Sequence, residues 1–202
     1  MIDQLDTATQ AVFENIRQRR TVPYKKMKRD LIDRETLMML FEAANWAPTH
    51  KFTEPWRFQV FTGESRRALG EALQATYRAY CGEQFMQRKY DKLMDRCMHV
   101  PATAAIIMDP SERHVLPEYE EILAIGCAMQ NLHLAAQSLG IGGMWSTPGY
   151  INHEVLREFL NLESRMTCFG FFYMGYVEGP WPESKRGPIA EKVMFVEEAS
   201  NA

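Results

Sequence analysis

The sequence predicts one α+β domain, on three observations. Segments with helical spacing of apolar residues alternate along the chain with short strand-like runs, nothing repeats, and no Pro-, Gly- or Ser-rich linker divides it. A length of 202 residues suits a single domain and can bury a substantial core. Residues 1–202 are therefore read as one unit, with an extended tail over about residues 179–202.

The elements follow in order. Leu5, Ala8, Val12, Phe13 and Ile16 recur at helical spacing and predict an amphipathic helix over residues 4–18, which Pro23 keeps from continuing. A second helix opens at Asp33 as N-cap, turns Leu37, Leu40, Phe41 and Ala44 inward, and stops at Ala47-Pro48-Thr49. Residues 57–62 alternate as a strand does, and Gly63 ends it. Residues 65–80 are helical again, with Leu69, Leu73 and Tyr77 in register. Residues 81–100 are polar and Met-rich with weak periodicity, and no element is assigned there. Residues 103–108 form a continuous apolar run closed by Asp109-Pro110, a buried strand. Residues 121–139 form a helix apolar on most faces, stopped by Gly140, and such a helix belongs at the centre of an assembly. A short helix over 152–160, a Phe-rich strand over 167–176 and a further strand over 189–196 complete the reading.

Composition excludes several classes of function. Hydrophobic residues at 46% and charged residues at 24% exclude disorder, and a formal charge of −3 removes any global attraction to nucleic acid or membrane. The longest apolar run, residues 122–129, is too short to cross a bilayer. An acidic first segment does not resemble a signal peptide, so a cytoplasmic location is expected. Cys81, Cys97, Cys127 and Cys168 show no CxxC or zinc spacing, and His50, His99, His114, His133 and His153 no HExxH. No metal site is predicted, and the cysteines read as reduced thiols. The surplus is in Met (13), Phe (11), Tyr (8) and Trp (4).

Three segments could carry chemistry. Arg17-Gln18-Arg19-Arg20-Thr21 at a helix end offers guanidinium forks and a hydroxyl suited to phosphate, although basic residues there also complement the helix dipole. The connection from Ala47 to Trp56 holds His50, Lys51 and two aromatics between prolines; it reads equally as a surface turn with Trp56 in the core. Residues 139–149 read as a Gly-rich turn that brings backbone N–H groups close to a ligand, or as a plain helix cap and turn. That turn is neither GxGxxG nor a P-loop. No GxSxG or Cys/His nucleophile is signposted, and Glu118, Glu120 and Glu121 read as a solvated helix start.

Taken together, the order Arg19-Arg20-Thr21, then Ala43-Ala44-Asn45-Trp46-Ala47-Pro48-Thr49 and Pro55-Trp56-Arg57-Phe58, then Leu139-Gly140-Ile141-Gly142-Gly143-Met144-Trp145-Ser146 and Gly175-Tyr176, resembles the nitroreductase family of FMN-dependent oxidoreductases. The Thr49-His50-Lys51 loop is most similar to its small NAD(P)H nitroreductase branch. The resemblance implies a central, mostly antiparallel sheet flanked by helices, in an intertwined homodimer with two FMN sites, each built from both chains. Arg19, Arg20 and Thr21 match the segment that holds the FMN phosphate and ribityl chain, and Arg186 the tail arginine that joins them. His50 and Lys51 match the loop supplied by the partner subunit. Trp145, Ser146 and Thr147 match the segment along the flavin ring edge. Phe52 and Glu54 stand where many members carry Asn and Gln, and Glu54 is expected to point away into an ion pair.

The implied activity is NAD(P)H-driven, ping-pong reduction of a nitro, quinone or similar small acceptor, with the chemistry carried by FMN and no residue required as a catalyst. Related families perform reductive dehalogenation or flavin breakdown, and a non-catalytic flavin-binding protein is the alternative outside enzymes. A homodimer would also place part of the apolar surplus in an interface.

Overall fold

Two long apolar strands set the architecture. In the computed structural model, which describes residues 4–113 and 115–196, β2 (Ala102–Met108) and β4 (Thr167–Tyr176) pair antiparallel at the centre of a four-stranded sheet. Outside them lie β1 (Trp56–Thr62) and β3 (Ile141–Ser146), giving the order β1-β2-β4-β3 with every pairing antiparallel. His114 and the ends of the chain, residues 1–3 and 197–202, lie outside the described residues. Every residue of β2 is buried because both faces of the sheet are covered.

Strand alternation sends Phe172 and Met174 to one face and Phe171 and Tyr173 to the other. The first face packs on α2 (Arg34–Asn45) and α5 (Glu118–Ser138) through Leu40, Ile125, Met129 and Leu132. The second packs on α3 (Ser65–Cys81), α4 (Gln87–His99) and α6 (Glu154–Phe159) through Leu69, Leu73, Cys97 and Leu156. Local signals fix several ends. Asp33 accepts the Thr36 N–H at 2.7 Å and starts α2, as its N-cap position predicts. Asp6 does the same for α1 (Thr7–Gln18). Gly140, at φ +72°, ends α5.

Four expectations are corrected. Residues 141–146 form strand β3, not a turn. The glycines serve packing: a Cβ on Gly142 would lie 2.8 Å from the Val22 Cβ, and one on Gly143 2.1 Å from the Phe172 ring. Residues 189–196 form no strand, only a 3₁₀ turn at Ile189–Glu191, and Val193 to Val196 stand exposed, paired with no strand among the described residues. Residues 81–100 contain α4, whose period is carried by Tyr90, Leu93 and Cys97 beneath a polar surface. The apolar stripe of α1 is not core: Leu5, Val12, Phe13 and Ile16 are all exposed.

The side of α5 away from the sheet is exposed too, at Ile122, Leu123 and Cys127. This helix begins at Glu118, one turn earlier than its apolar spacing suggests, with three carboxylates in the first turn that favour its positive end.

Candidate functional site

The segment after α1 is held against the edge of β3. Thr21 bridges Gly143 in parallel sense and the Val22 N–H donates to the Gly143 carbonyl at 3.0 Å. That fixes Arg19 and Arg20 beside the sheet, and the tail returns Arg186 to the same place. Burial first, then the charges of Arg186 and Arg20, lower the pKa of Arg19. The structure therefore brings together three arginines from opposite ends of the sequence. Among the described residues none of the three forms an ion pair with a carboxylate. Arg20 donates from Nη1 to the Arg17 and Arg19 carbonyls, at 2.6 and 2.8 Å, while its Nε is buried with no partner. Arg186 reaches only Ser184 Oγ and the Lys185 carbonyl. Clustered guanidinium groups repel one another, and an orphaned buried donor is costly; one bound anion with several oxygens relieves both.

His133 on α5 lies beneath this cluster, edge-on to Phe172 at 4.6 Å. Burial, and then the Arg19 charge, hold its pKa down to about 4, so it is neutral at neutral pH. The unfolded chain takes up this proton near pH 6.5 and the folded chain only near pH 4. The resulting stability is intact above pH 6.5 and is lost as pH falls toward 4, by up to about 3 kcal/mol. The urea midpoint of the parent should therefore fall more steeply between pH 7 and pH 4.5 than that of His133→Leu; equal slopes would remove this role for His133.

The loop after α2 is tied to the start of α5. Thr53 donates to Glu121 Oε2 at 2.8 Å, Thr49 and Thr53 hydroxyls lie 2.9 Å apart, and His50 Nδ1 meets Glu120 Oε2 at 2.5 Å. Glu120 and Glu121 are thus loop anchors, and Glu121 is buried, which corrects their reading as a solvated helix start. Lys51, Phe52 and Glu54 all sit at φ between 44° and 55°, a left-handed region that non-glycine residues seldom adopt. Phe52 itself is 87% exposed. Glu54 does face solvent, but among the described residues it has no ion pair. Arg57 bonds the Glu54 carbonyl and pairs with Asp109 instead.

His50 and Lys51 do not meet the arginines within one chain. The loop touches Glu120, whereas Asn15, one turn before Arg19, donates to the Leu134 carbonyl and Ser138. Those points lie about 20 Å apart along α5.

At the far end of β3, Trp145 and Ser146 point to opposite faces. Trp145 Nε1 donates to the Phe169 carbonyl at 2.7 Å on the α5 side. Ser146 Oγ accepts from Arg96 Nη1 at 3.0 Å on the α4 side, at the wall of a cavity of about 930 Å³. Thr147 is exposed beyond it. Gly143 to Ser146 spans about 10 Å of strand, so the arginine cluster and this cavity sit at the two ends of one short edge. Sequence reasoning missed Arg96; only the period of α4, which places it between Leu93 and Cys97, could have pointed inward.

The cysteines carry no redox signal. All four are free, and burial pushes the thiols of Cys97 and Cys168 up to about 12 and about 11. Among the described residues no three His, Cys, Asp or Glu side chains are grouped to hold a metal, and no helix is long and apolar enough to cross a membrane.

The sequence profile of the nitroreductase family matches residues 16–176, from the end of α1 to the end of β4. The chain belongs to the nitroreductase family. It is 29% identical over 145 residues to the provisionally named NAD(P)H nitroreductase YdjA of Escherichia coli K12, covering 70% of this chain and 75% of YdjA. A crystal structure of a nitroreductase-like family protein from Bacillus cereus superposes with a TM-score of 0.81 at 28% identity, covering 93% of this chain and 96% of that one. The FMN-dependent nitroreductase NfnB from Mycobacterium smegmatis, in complex with NADPH, shares the fold with a TM-score of 0.70 at 22% identity, over 95% of this chain and all of the other. Within the nitroreductase match fall the Arg19–Thr21 segment, the His50 loop and β3; Arg186 lies beyond it.

Proposed function

We propose that this nitroreductase-family protein is an FMN-dependent oxidoreductase that uses NAD(P)H to reduce a nitro, quinone or similar small acceptor. The observation that carries the reading is the cluster of Arg19, Arg20 and Arg186, which forms no ion pair with a carboxylate among the described residues and leaves the Arg20 Nε without a partner. The residues present fit FMN: these arginines and Thr21 would hold its phosphate and ribityl chain, and the Trp145–Thr147 backbone would border its ring. When bound, FMN supplies the redox chemistry that links NAD(P)H to the acceptor in ping-pong order. The chain's own task is to bind, orient and charge-balance: cations such as Lys51 favour an anionic reduced ring, and solvent can supply the protons.

The functional unit is a homodimer. The His50 loop and the Arg19 segment, anchored about 20 Å apart on α5, come together if a second copy of α5 packs antiparallel on the first, and the exposed Leu123, Ile122, Phe13 and Ile16 form an apolar face for that contact. His50 and Lys51 then cross to the other chain's arginines. Free thiols and NAD(P)H use suit a reducing, cytoplasmic setting.

The purified protein should be yellow and should bleach on anaerobic addition of NAD(P)H; a colourless protein that refuses added FMN ends the reading. Leu123, 64% exposed, carries a second test. Leu123→Asp should sediment as a folded monomer and release its flavin, and a flavin-loaded dimer in that variant would refute the shared site.

A further inference from the structure

The outer face of α5 lacks charge. From Ile122 to Leu139 the sequence contains no Asp, Glu, Lys or Arg, although Ile122, Leu123, Gly126, Cys127 and Gln130 are exposed. Leu123, Gly126, Cys127 and Gln130 follow the spacing i, i+3, i+4, i+7 and form one stripe along the helix. A long uncharged stripe turned to water marks a contact surface.

Gly126 adds an independent observation. Glycine inside a helix lowers the folding equilibrium roughly fivefold relative to alanine, so it is kept where a side chain has no room. Gly70 in α3 is explained that way within the chain, since Met94 Sδ would stand 2.7 Å from its Cβ. Gly126 is not: apart from its own helical turn, no atom lies within 4 Å of the position a Cβ would take. The space it keeps open is space for another molecule.

The two halves of the site locate that molecule. On α5 the His50 loop is held at Glu120 and Glu121, and the segment before Arg19 at Leu134 and Ser138. In a twofold contact between antiparallel helices, residue i meets j wherever j meets i. The axis therefore passes the midpoint of the two positions that are brought together. That midpoint is at about residue 128, and the exposed residues nearest it are Gly126, Cys127 and Gln130. Ala128 and Met129 turn into the core.

We infer that the twofold axis of the homodimer passes beside Gly126 and Cys127, so that each α5 crosses its copy there in close contact and the two Cys127 thiols face each other. The inference rests on the proposed shared site, which supplies the second copy and both anchors; it adds where the axis lies and what Gly126 is for. Gly126 is a positioning residue: by letting the helices approach, it sets how far the His50 loop reaches across to the other chain's arginines.

The test treats flavin-loaded protein with diamide, a diazene that takes up two thiol hydrogens with their electrons. Two Cys127 thiols and one diazene give one disulfide and one hydrazine. A disulfide needs Cα atoms roughly 4.4–6.8 Å apart, so only thiols that meet at the axis are linked this way. The parent should give a covalent dimer on a non-reducing gel, in a yield independent of protein concentration. Cys127→Ser should abolish that band and Cys81→Ser should keep it. Gly126→Leu should raise the dimer dissociation constant in sedimentation at least about 30-fold, because symmetry inserts the extra side chain twice, and should lose FMN with it. Gly126→Ala should act in the same direction to a smaller extent, should the leucine variant fail to fold. A dimer that diamide does not link through Cys127 overturns the inference. So does a Gly126→Ala protein more stable than the parent with dimerisation and FMN affinity unchanged, the result for a glycine that faces water. A parent that binds FMN as a monomer would refute the shared site itself. A colourless parent that refuses FMN would instead refute the proposed function, and diamide linkage of that flavin-free protein still locates the axis.

Discussion

Arg19→Ala combined with Arg186→Ala is expected to weaken FMN binding by at least about 100-fold, since each charge-assisted contact to a phosphate contributes about 1.5–3 kcal/mol. The sign of a second effect separates this role from simple structural damage. Arg19 is held below its ordinary pKa by burial and by its two arginine neighbours, so in flavin-free protein the cluster opposes folding. Removing two of its members should leave the flavin-free protein as stable as the parent or more so, while abolishing most of the stabilisation that added FMN confers. Flavin fluorescence titration gives the affinity and urea denaturation gives the two stabilities. Variants that bind flavin as tightly as the parent would remove the phosphate assignment.

Gly170→Ala should be the most damaging single methyl group in the sheet. Between Ala105↔Phe171 and Ile107↔Cys168, β4 carries one residue more than β2, and the extra residue is accommodated by a bulge. Gly170 takes φ +107° there, and a Cβ would sit 2.3 Å from the Ser146 carbonyl oxygen. Both the backbone angle and the backbone contact resist substitution, unlike a clash with a flexible side chain, so a loss of about 3 kcal/mol or more is expected. The oxygen belongs to the residue that carries Arg96, so the same variant should also disturb the cavity wall. A denaturation midpoint equal to that of the parent would show that the strand can relax around the added carbon.

Much of the fold was legible because its signals are local. The caps at Asp33 and Gly140, the run from Ala102 to Met108 and the spacing of Leu69, Leu73 and Tyr77 act within a few residues, and each element appears where its signal lies. The glycines of β3 misled for a non-local reason. Their missing side chains make room for Val22 and Phe172, which are distant in sequence, so composition alone could not distinguish close strand packing from a ligand turn. The stripe of α1 misled differently: its period is real, but Leu5, Val12, Phe13 and Ile16 stay exposed in the single chain.

The candidate site divides along the same line. The arginine segment, the His50 loop and the end of β3 could be named as candidates only from the order of short motifs that resembles the nitroreductase family, since each segment alone reads equally as a cap, a turn or a surface loop. What the sequence by itself determined, then, was most of the elements and the lack of any metal or nucleophile motif, together with the arginines proposed to hold phosphate. Tertiary structure alone decided that Arg186 returns to Arg19, that the His50 loop and the segment before Arg19 are anchored about 20 Å apart on α5, and that Arg96 turns inward to Ser146. Those facts depend on where helices dock on the sheet, and docking is set by burial summed over the whole core, which no short window of sequence records.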